Sequence, residues 1–208
     1  MPESCPPNAL EVAVKSRSAG IAACILAVFV FAVGLVVKNQ ADFSQNYLKS
    51  QLTEHGIIFT PVPNLLPQQK KVRCLVKNSG KLMSTGKQAE CYAKYQIGID
   101  LTLVDNGKTY AQDHYNGYLS RVKAAAAVAK APDAPETAVL VAAAAKQDRI
   151  SDDLLAGEAT KGLLLTGYGF GVIGERLAEG AIALFVLAGL LLVAGVVLIG
   201  RRPSTAAA

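Results

Sequence analysis

Hydrophobic positions along this chain follow two patterns. From Ala19 to Val37, and again from Gly180 to Gly200, they run on without a charge; between these runs they recur every three or four residues among polar neighbours. Each uninterrupted run is about 20 residues, enough to cross a hydrocarbon core of roughly 30 Å as a helix. Lys38 closes the first run, and Glu179 and Arg201 fence the second. The pattern predicts a mainly α fold, with two transmembrane helices at the termini flanking an extracytoplasmic helical domain. The expected divisions are a tail at 1–18, spans at 19–37 and 180–200, a domain at 38–179 and a tail at 201–208.

Within the central segment, Phe43, Tyr47, Leu48 and Leu52 keep helical spacing from Asp42 to His55, and Gly56 is a plausible stop. Pro61, Pro63 and Pro67 then force extended or turning chain. Helical spacing returns at Thr85 and runs through Ala89, Tyr92, Ile99 and Leu103 until Asp105-Asn106-Gly107 breaks it. Beyond Tyr110 the chain is alanine-rich. Leu119 to Lys130 and Thr137 to Arg149 favour helix, and Pro132 and Pro135 between them give the signature of an αα-hairpin over 119–150. Ser151, followed by Asp152 and Asp153, reads as the N-cap of a further helix. Gly162 to Ile173 is apolar but too short to span; Gly167, Gly169, Gly171 and Gly174 predict a break or close packing there.

Small residues recur every seven positions in both apolar runs. Gly20, Ala27 and Gly34 form one stripe, and Ala181, Ala188 and Gly195 the other. Such stripes let helix backbones approach, so the two spans are expected to pack on each other. No ionisable residue lies inside either run, which argues against a proton relay or ion path in this chain alone.

Charge at the flanks sets the expected topology. Lys15 and Arg17 precede the first run and Arg201 and Arg202 follow the second, placing both termini in the cytoplasm and the central domain outside the cell membrane. Ile21-Ala22-Ala23-Cys24 matches a lipobox, but the apolar run continues well beyond Cys24, so an uncleaved signal anchor is expected. Cys5 falls in the cytoplasmic tail. Cys74 and Cys91 fall in the external domain, where an oxidising compartment points to a disulfide.

The net charge of +5 is unevenly spread. Lys70, Lys71, Arg73, Lys77, Lys81, Lys87 and Lys94 face a single acid, Glu90, in one stretch, whereas acids outnumber bases from Tyr95 to Glu179. The basic stretch is a possible contact patch for anionic lipid or an acidic partner surface, or else a solvated face balanced by the acidic half. Nucleic acid is not an expected partner in that compartment.

Chemistry is sparse. His55 sits at an expected helix end, and His114 lies in Asp113-His114-Tyr115-Asn116, read as a polar loop. A site around His114 would need Asp100, Asp105 or Asp113 to converge on it, and no spacing suggests that. No nucleophile elbow, P-loop or dinucleotide fingerprint is present. No catalytic residue, metal ligand set or cofactor is expected.

The stretch from Lys81 to Gln112, with Thr85-Gly86-Lys87-Gln88-Ala89, Tyr92-Ala93-Lys94-Tyr95 and Gly107-Lys108-Thr109-Tyr110-Ala111, resembles a group of small actinobacterial two-span membrane proteins. The resemblance leaves aside the alanine-rich stretch from Ala124 to Ala145. It implies a high-GC Gram-positive envelope. Some members carry an aromatic ring-opening dioxygenase label, for which these residues supply no iron ligands. The expected function is non-enzymatic: a membrane protein whose external domain contacts another membrane protein, as an accessory subunit of an envelope or respiratory assembly. The alternatives are a sensor or module binding lipid or cell-wall ligands through the basic stretch, and an enzyme centred on His114.

Overall fold

The structure is a computed structural model that describes residues 9–200; Cys5, Arg201 and Arg202, on which part of the topology reasoning rests, lie outside them. No strand occurs among the described residues. Seven α-helices follow in order: α1 Ala9–Glu54, α2 Pro67–Lys70, α3 Arg73–Asn78, α4 Gly86–Cys91, α5 Gly98–Leu103, α6 Tyr110–Lys130 and α7 Pro135–Gly200. A π-helical turn, Tyr92–Ile97, joins α4 to α5. The segments Val14–Glu54 and Pro135–Gly200 are each long and apolar enough to cross a membrane.

Two compact units emerge, 1–46 with 173–208, and 47–172. In the first, the buried positions step by seven: Gly20, Ala27, Gly34 and Ala41 on α1, and Gly174, Ala181, Ala188 and Gly195 on α7. The approach is closest where both partners lack a side chain. A Cβ added at Gly20 would lie 2.8 Å from the carbonyl oxygen of Gly195, and one at Gly195 would lie 2.9 Å from that of Gly20. Phe31 and Phe185 pack at 5.3 Å between centroids farther along the pair. These contacts make an antiparallel helix pair whose backbones nearly touch at one level.

The second unit has a small core. Leu48 and Leu52 of α1 meet Phe59, Leu65, Leu75, Met83, Ala89, Ala93 and Leu164. Phe59 is fully buried and stands edge-on to Tyr92 at 5.3 Å. The hairpin-like chain around it is held by Phe59 N–H donating to Lys81 O and Met83 N–H donating to Ile57 O, with Gly80 at φ 69° turning the chain. The Cys74–Cys91 disulfide ties α3 to α4, with 6.2 Å between Cα atoms. Closing a loop of that length stabilises a fold by about 3 kcal/mol in the chain-entropy account.

Three local expectations are corrected. The helix expected over Asp42–His55 is the continuation of α1: nothing between Val37 and Asp42 breaks it, and Lys38 pairs with Asp42 one turn on at 2.5 Å. Gly56, at φ 62°, does end it. His114 lies within α6 rather than in a loop, because Thr109 caps the helix upstream by accepting from Gln112 N–H. Ser151 is inside α7 rather than at an N-cap, its hydroxyl turned sideways to Asp113. Of the break or close packing expected at Gly167, Gly169, Gly171 and Gly174, the structure shows close packing at Gly167, Gly171 and Gly174, with α7 unbroken. Gly167 and Gly171 give Leu48 room, and Gly171 also lies against Gly86 at the start of α4.

Candidate functional site

Three features of the 47–172 unit offer surfaces for chemistry or contact. The first is the α6–α7 hairpin. α6 is amphipathic toward α7, but through small and polar side chains. Asp113, Gly117 and Ala124 are buried there, with Ser120 half-buried. The Asp113 carboxylate is fully buried and accepts from the Gln147 amide and the Ser151 hydroxyl of α7. Arg121 pairs with Asp148, and Tyr110 N–H donates to the Glu158 carboxylate at 3.0 Å. These ties run antiparallel and fix one register between two alanine-rich helices, whose seam alone would slide.

The opposite side of α6 is apolar and open. At 3.6 residues per turn, Ala111, Tyr115, Tyr118, Leu119, Val122, Ala125, Ala126 and Ala129 share an arc of roughly 120° pointing away from the buried seam. All eight are exposed, Tyr115 at 62% and Tyr118 at 55%. Lys123 and Lys130 are exposed beside that arc, and the only acid on α6 is the buried Asp113.

The second feature is the basic stretch. Lys70, Lys71, Arg73, Lys77, Lys81, Lys87 and Lys94 are all exposed. Lys94 pairs with Glu90 at 2.6 Å, which raises its pKa, and Lys70 Nζ donates to Pro63 O at 3.3 Å. A hollow beside the disulfide is lined by Arg73, Lys87 and Glu90. Beneath this surface lies a buried amide network that spacing alone does not suggest. Gln69 Nε2 donates to Gln96 O at 3.2 Å and to Asp100 Oδ1 at 2.8 Å, and Gln96 Nε2 donates to Thr60 Oγ1 at 3.0 Å. Gln96, within the π-helical turn, is buried on the same face as Ala89 and Ala93, seven and three residues before it. Partial burial lifts the Asp100 carboxyl above the ordinary carboxylate range against the pull of its amide donors, and burial together with Asp100 raises the Tyr92 phenol.

The third is a cleft of about 470 Å³ bounded by α5, the Asp105–Gly107 turn and α7. Asp105, Asn106 and Gly107 all have positive φ, so this turn reverses the chain sharply before α6.

His114 does not converge with a carboxylate. Its Nδ1 lies 3.3 Å from the Tyr110 hydroxyl, while Asp113 turns into the hairpin seam and Asp105 pairs with Lys108. No group of three or more His, Cys, Asp or Glu residues suited to a metal occurs among the described residues. No protein-family model matches the chain, and no curated protein or solved structure is similar enough to it to carry an argument.

Proposed function

We propose that this is a membrane-anchored contact protein whose external helical unit docks a helix of another membrane protein along α6. The reading takes α1 and α7 as spans and, from Lys15, Arg17, Arg201 and Arg202, places both termini in the cytoplasm and the unit from 47 to 172 outside. One observation carries it: the large apolar residues of α6 lie on the side turned away from α7. With one face of α6 already packed on α7 through small and polar side chains, an apolar stripe left exposed on the other is suited to a partner.

Composition favours a protein partner over the bilayer surface. Interfacial helices insert Trp, Phe and Leu, whereas this face has four alanines and a valine beside its two tyrosines and one leucine. Small residues suit close helix packing. Charge narrows the partner further. Lys123 and Lys130 flank the stripe with no exposed acid on α6, so a second α6 would meet it with like charge, while a helix with acids beside its apolar seam is complementary.

The test is cross-linking of the full chain in native membranes, before extraction, followed by gel migration. Wild type runs as a larger assembly that Tyr118→Asp and Val122→Asp dissolve and Ala142→Asp, on the exposed side of α7, leaves intact. A wild-type monomer, or an assembly indifferent to Val122→Asp, would refute the reading.

The seven exposed cations from Lys70 to Lys94 favour a second contact, with an anionic lipid surface. Charge reversal at Lys70, Lys71 and Arg73 together should then abolish binding to vesicles containing anionic lipid and leave the α6-dependent assembly unchanged.

A further inference from the structure

The Cys74–Cys91 disulfide borders an open hollow. About 370 Å³ in volume, the hollow is lined by both cysteines together with Arg73, Lys87, Glu90 and Tyr95. The two half-cystines are not equally reachable. Cys74 is partly exposed, whereas Cys91 is only 4% exposed, so a molecule entering from solvent meets Cys74 first. Charge around the opening is positive. Arg73 and Lys87 stand against the single carboxylate of Glu90, which Lys94 already pairs at 2.6 Å. Lys70, Lys71, Lys77 and Lys81, all exposed on the same stretch, add to the excess. The disulfide is also not the only tie between α3 and α4. Leu75 of α3 and Ala89 of α4 are buried in one core, and Gln88 Nε2 donates to Asn78 Oδ1 at 3.3 Å.

We propose that this bond is a site of thiol–disulfide exchange, opened through Cys74 by a small anionic thiol while the unit stays folded. The entering thiolate attacks Cys74 Sγ and forms a mixed disulfide, and Cys91 leaves as a thiolate. A second thiolate attacks the sulfur of the bound thiol, releasing the oxidised thiol dimer and a Cys74 thiolate. Two thiols are oxidised and one disulfide is reduced, and the two protons lost by the attacking thiols end on Cys74 and Cys91. Access and charge are the physical reasons. Exchange needs a reachable sulfur, and exposed disulfides are the labile ones. Surrounding cations favour both the arriving thiolate and the one expelled. The bond closes a loop across a separation of only 17 residues, and the core and the Gln88–Asn78 hydrogen bond remain when it opens. The inference stands apart from docking on α6.

The test is the rate of reduction of the full chain in a neutral detergent, with Cys5 and Cys24 blocked beforehand by alkylation. The anionic probe is 2-mercaptoethanesulfonate and the cationic one cysteamine. Newly reactive thiols are counted by maleimide labelling, and helicity is followed by circular dichroism. The rate should rise in proportion to thiol concentration, with helicity retained. Arg73→Glu combined with Lys87→Glu, both at exposed positions, should lower the ratio of the anionic to the cationic rate by about fivefold or more. In that comparison the intrinsic reactivities of the two thiols cancel. A rate independent of thiol concentration would mean that the bond is reached only on unfolding, and an unchanged ratio in the double variant would mean that the cations do not act on the exchange. Either result, or helicity lost together with the bond, overturns the inference.

Discussion

Gly169 and Gly171, two residues apart in α7, should respond to alanine in opposite directions. Glycine inside a helix costs about 1 kcal/mol relative to alanine, so each substitution begins with that gain. At Gly169 the new methyl meets nothing within 4 Å, and the gain of about 0.5–1 kcal/mol should survive. At Gly171 it would lie 3.0 Å from Leu48 Cδ2 and 3.2 Å from Gly86 Cα, where ordinary contact begins at 3.4 Å. Leu48 is a buried core residue and Gly86 is backbone at the first turn of α4, so neither gives way freely. Overpacking of this kind costs about 1–3 kcal/mol, leaving a net loss of up to about 2. The two variants should therefore differ by about 1–3 kcal/mol, or roughly 3–10 °C in midpoint for a unit of this size. Thermal unfolding in mild detergent, followed by circular dichroism, measures this with each variant as the other's control. If both substitutions raise the midpoint equally, α4 does not rest on α7 at Gly171 and the packing argument fails.

Asp113→Ala leaves the Gln147 amide and Ser151 hydroxyl without their acceptor, and should cost about 2–4 kcal/mol in an unfolding titration; a variant as stable as wild type would show that the carboxylate does not hold the hairpin. Reducing the Cys74–Cys91 bond, or replacing both cysteines by serine, should lower stability by about 3 kcal/mol, read as a midpoint shift that dithiothreitol reproduces in wild type and not in the variant. Asp100 has its folded pKa raised above the ordinary value near 3.8, so in that window the folded chain binds more protons than the unfolded one. Stability should fall as pH rises from about 3.8 through the raised value, and Asp100→Asn should remove that slope. A Cβ at Gly195 would lie 2.9 Å from Gly20 O and 2.6 Å from the Cys24 sulfur, so Gly195→Ala should push α1 from α7 and lower the unfolding midpoint by the cost of overpacking, about 1–3 kcal/mol; a midpoint that holds or rises would mean that the pair is not in this register.

How much of this was legible before the fold was seen differs by physical cause. The apolar runs and the Cys74–Cys91 bond were, because length without charge and paired cysteines carry their meaning locally. The break at Asp105–Gly107 was too, since three positive φ values fall on the Asp-Asn-Gly sequence. Helix lengths were not. The glycines near the end of the unit left a break and close packing both open; α7 continues, with Gly167 and Gly171 packed against Leu48, Gly171 also against Gly86, and Gly169 against nothing. Ser151 and Asp113 carried cap and loop signals; only pairing with each other across two helices makes them seam residues. Gln96 falls in step with Ala89 and Ala93 on one helical face, but its partners Gln69 and Thr60 are distant in sequence and only the fold brings them together.

The arrangement of α6 also bears on the proposed reading, in which a contact face and a membrane anchor go together. Its seam with α7 spends Asp113, Gly117, Ser120 and Ala124, while Tyr115, Tyr118, Leu119 and Val122 are left outside, the inverse of what a free-standing hairpin would use. Covering those four half-exposed side chains is worth only about 1 kcal/mol each, or about 3–5 kcal/mol together. Bringing two free molecules together costs about 4–15 kcal/mol, so this face could not hold a partner from dilute solution on its own. Confinement of both proteins to one bilayer changes that balance by raising their effective concentration without any new contact. On the docking reading proposed above, the two long apolar helices and the α6 face would act together, and the assembly should persist in native membranes yet dissociate as detergent micelles are diluted. An assembly that survives indefinite dilution would require a larger interface than α6 provides.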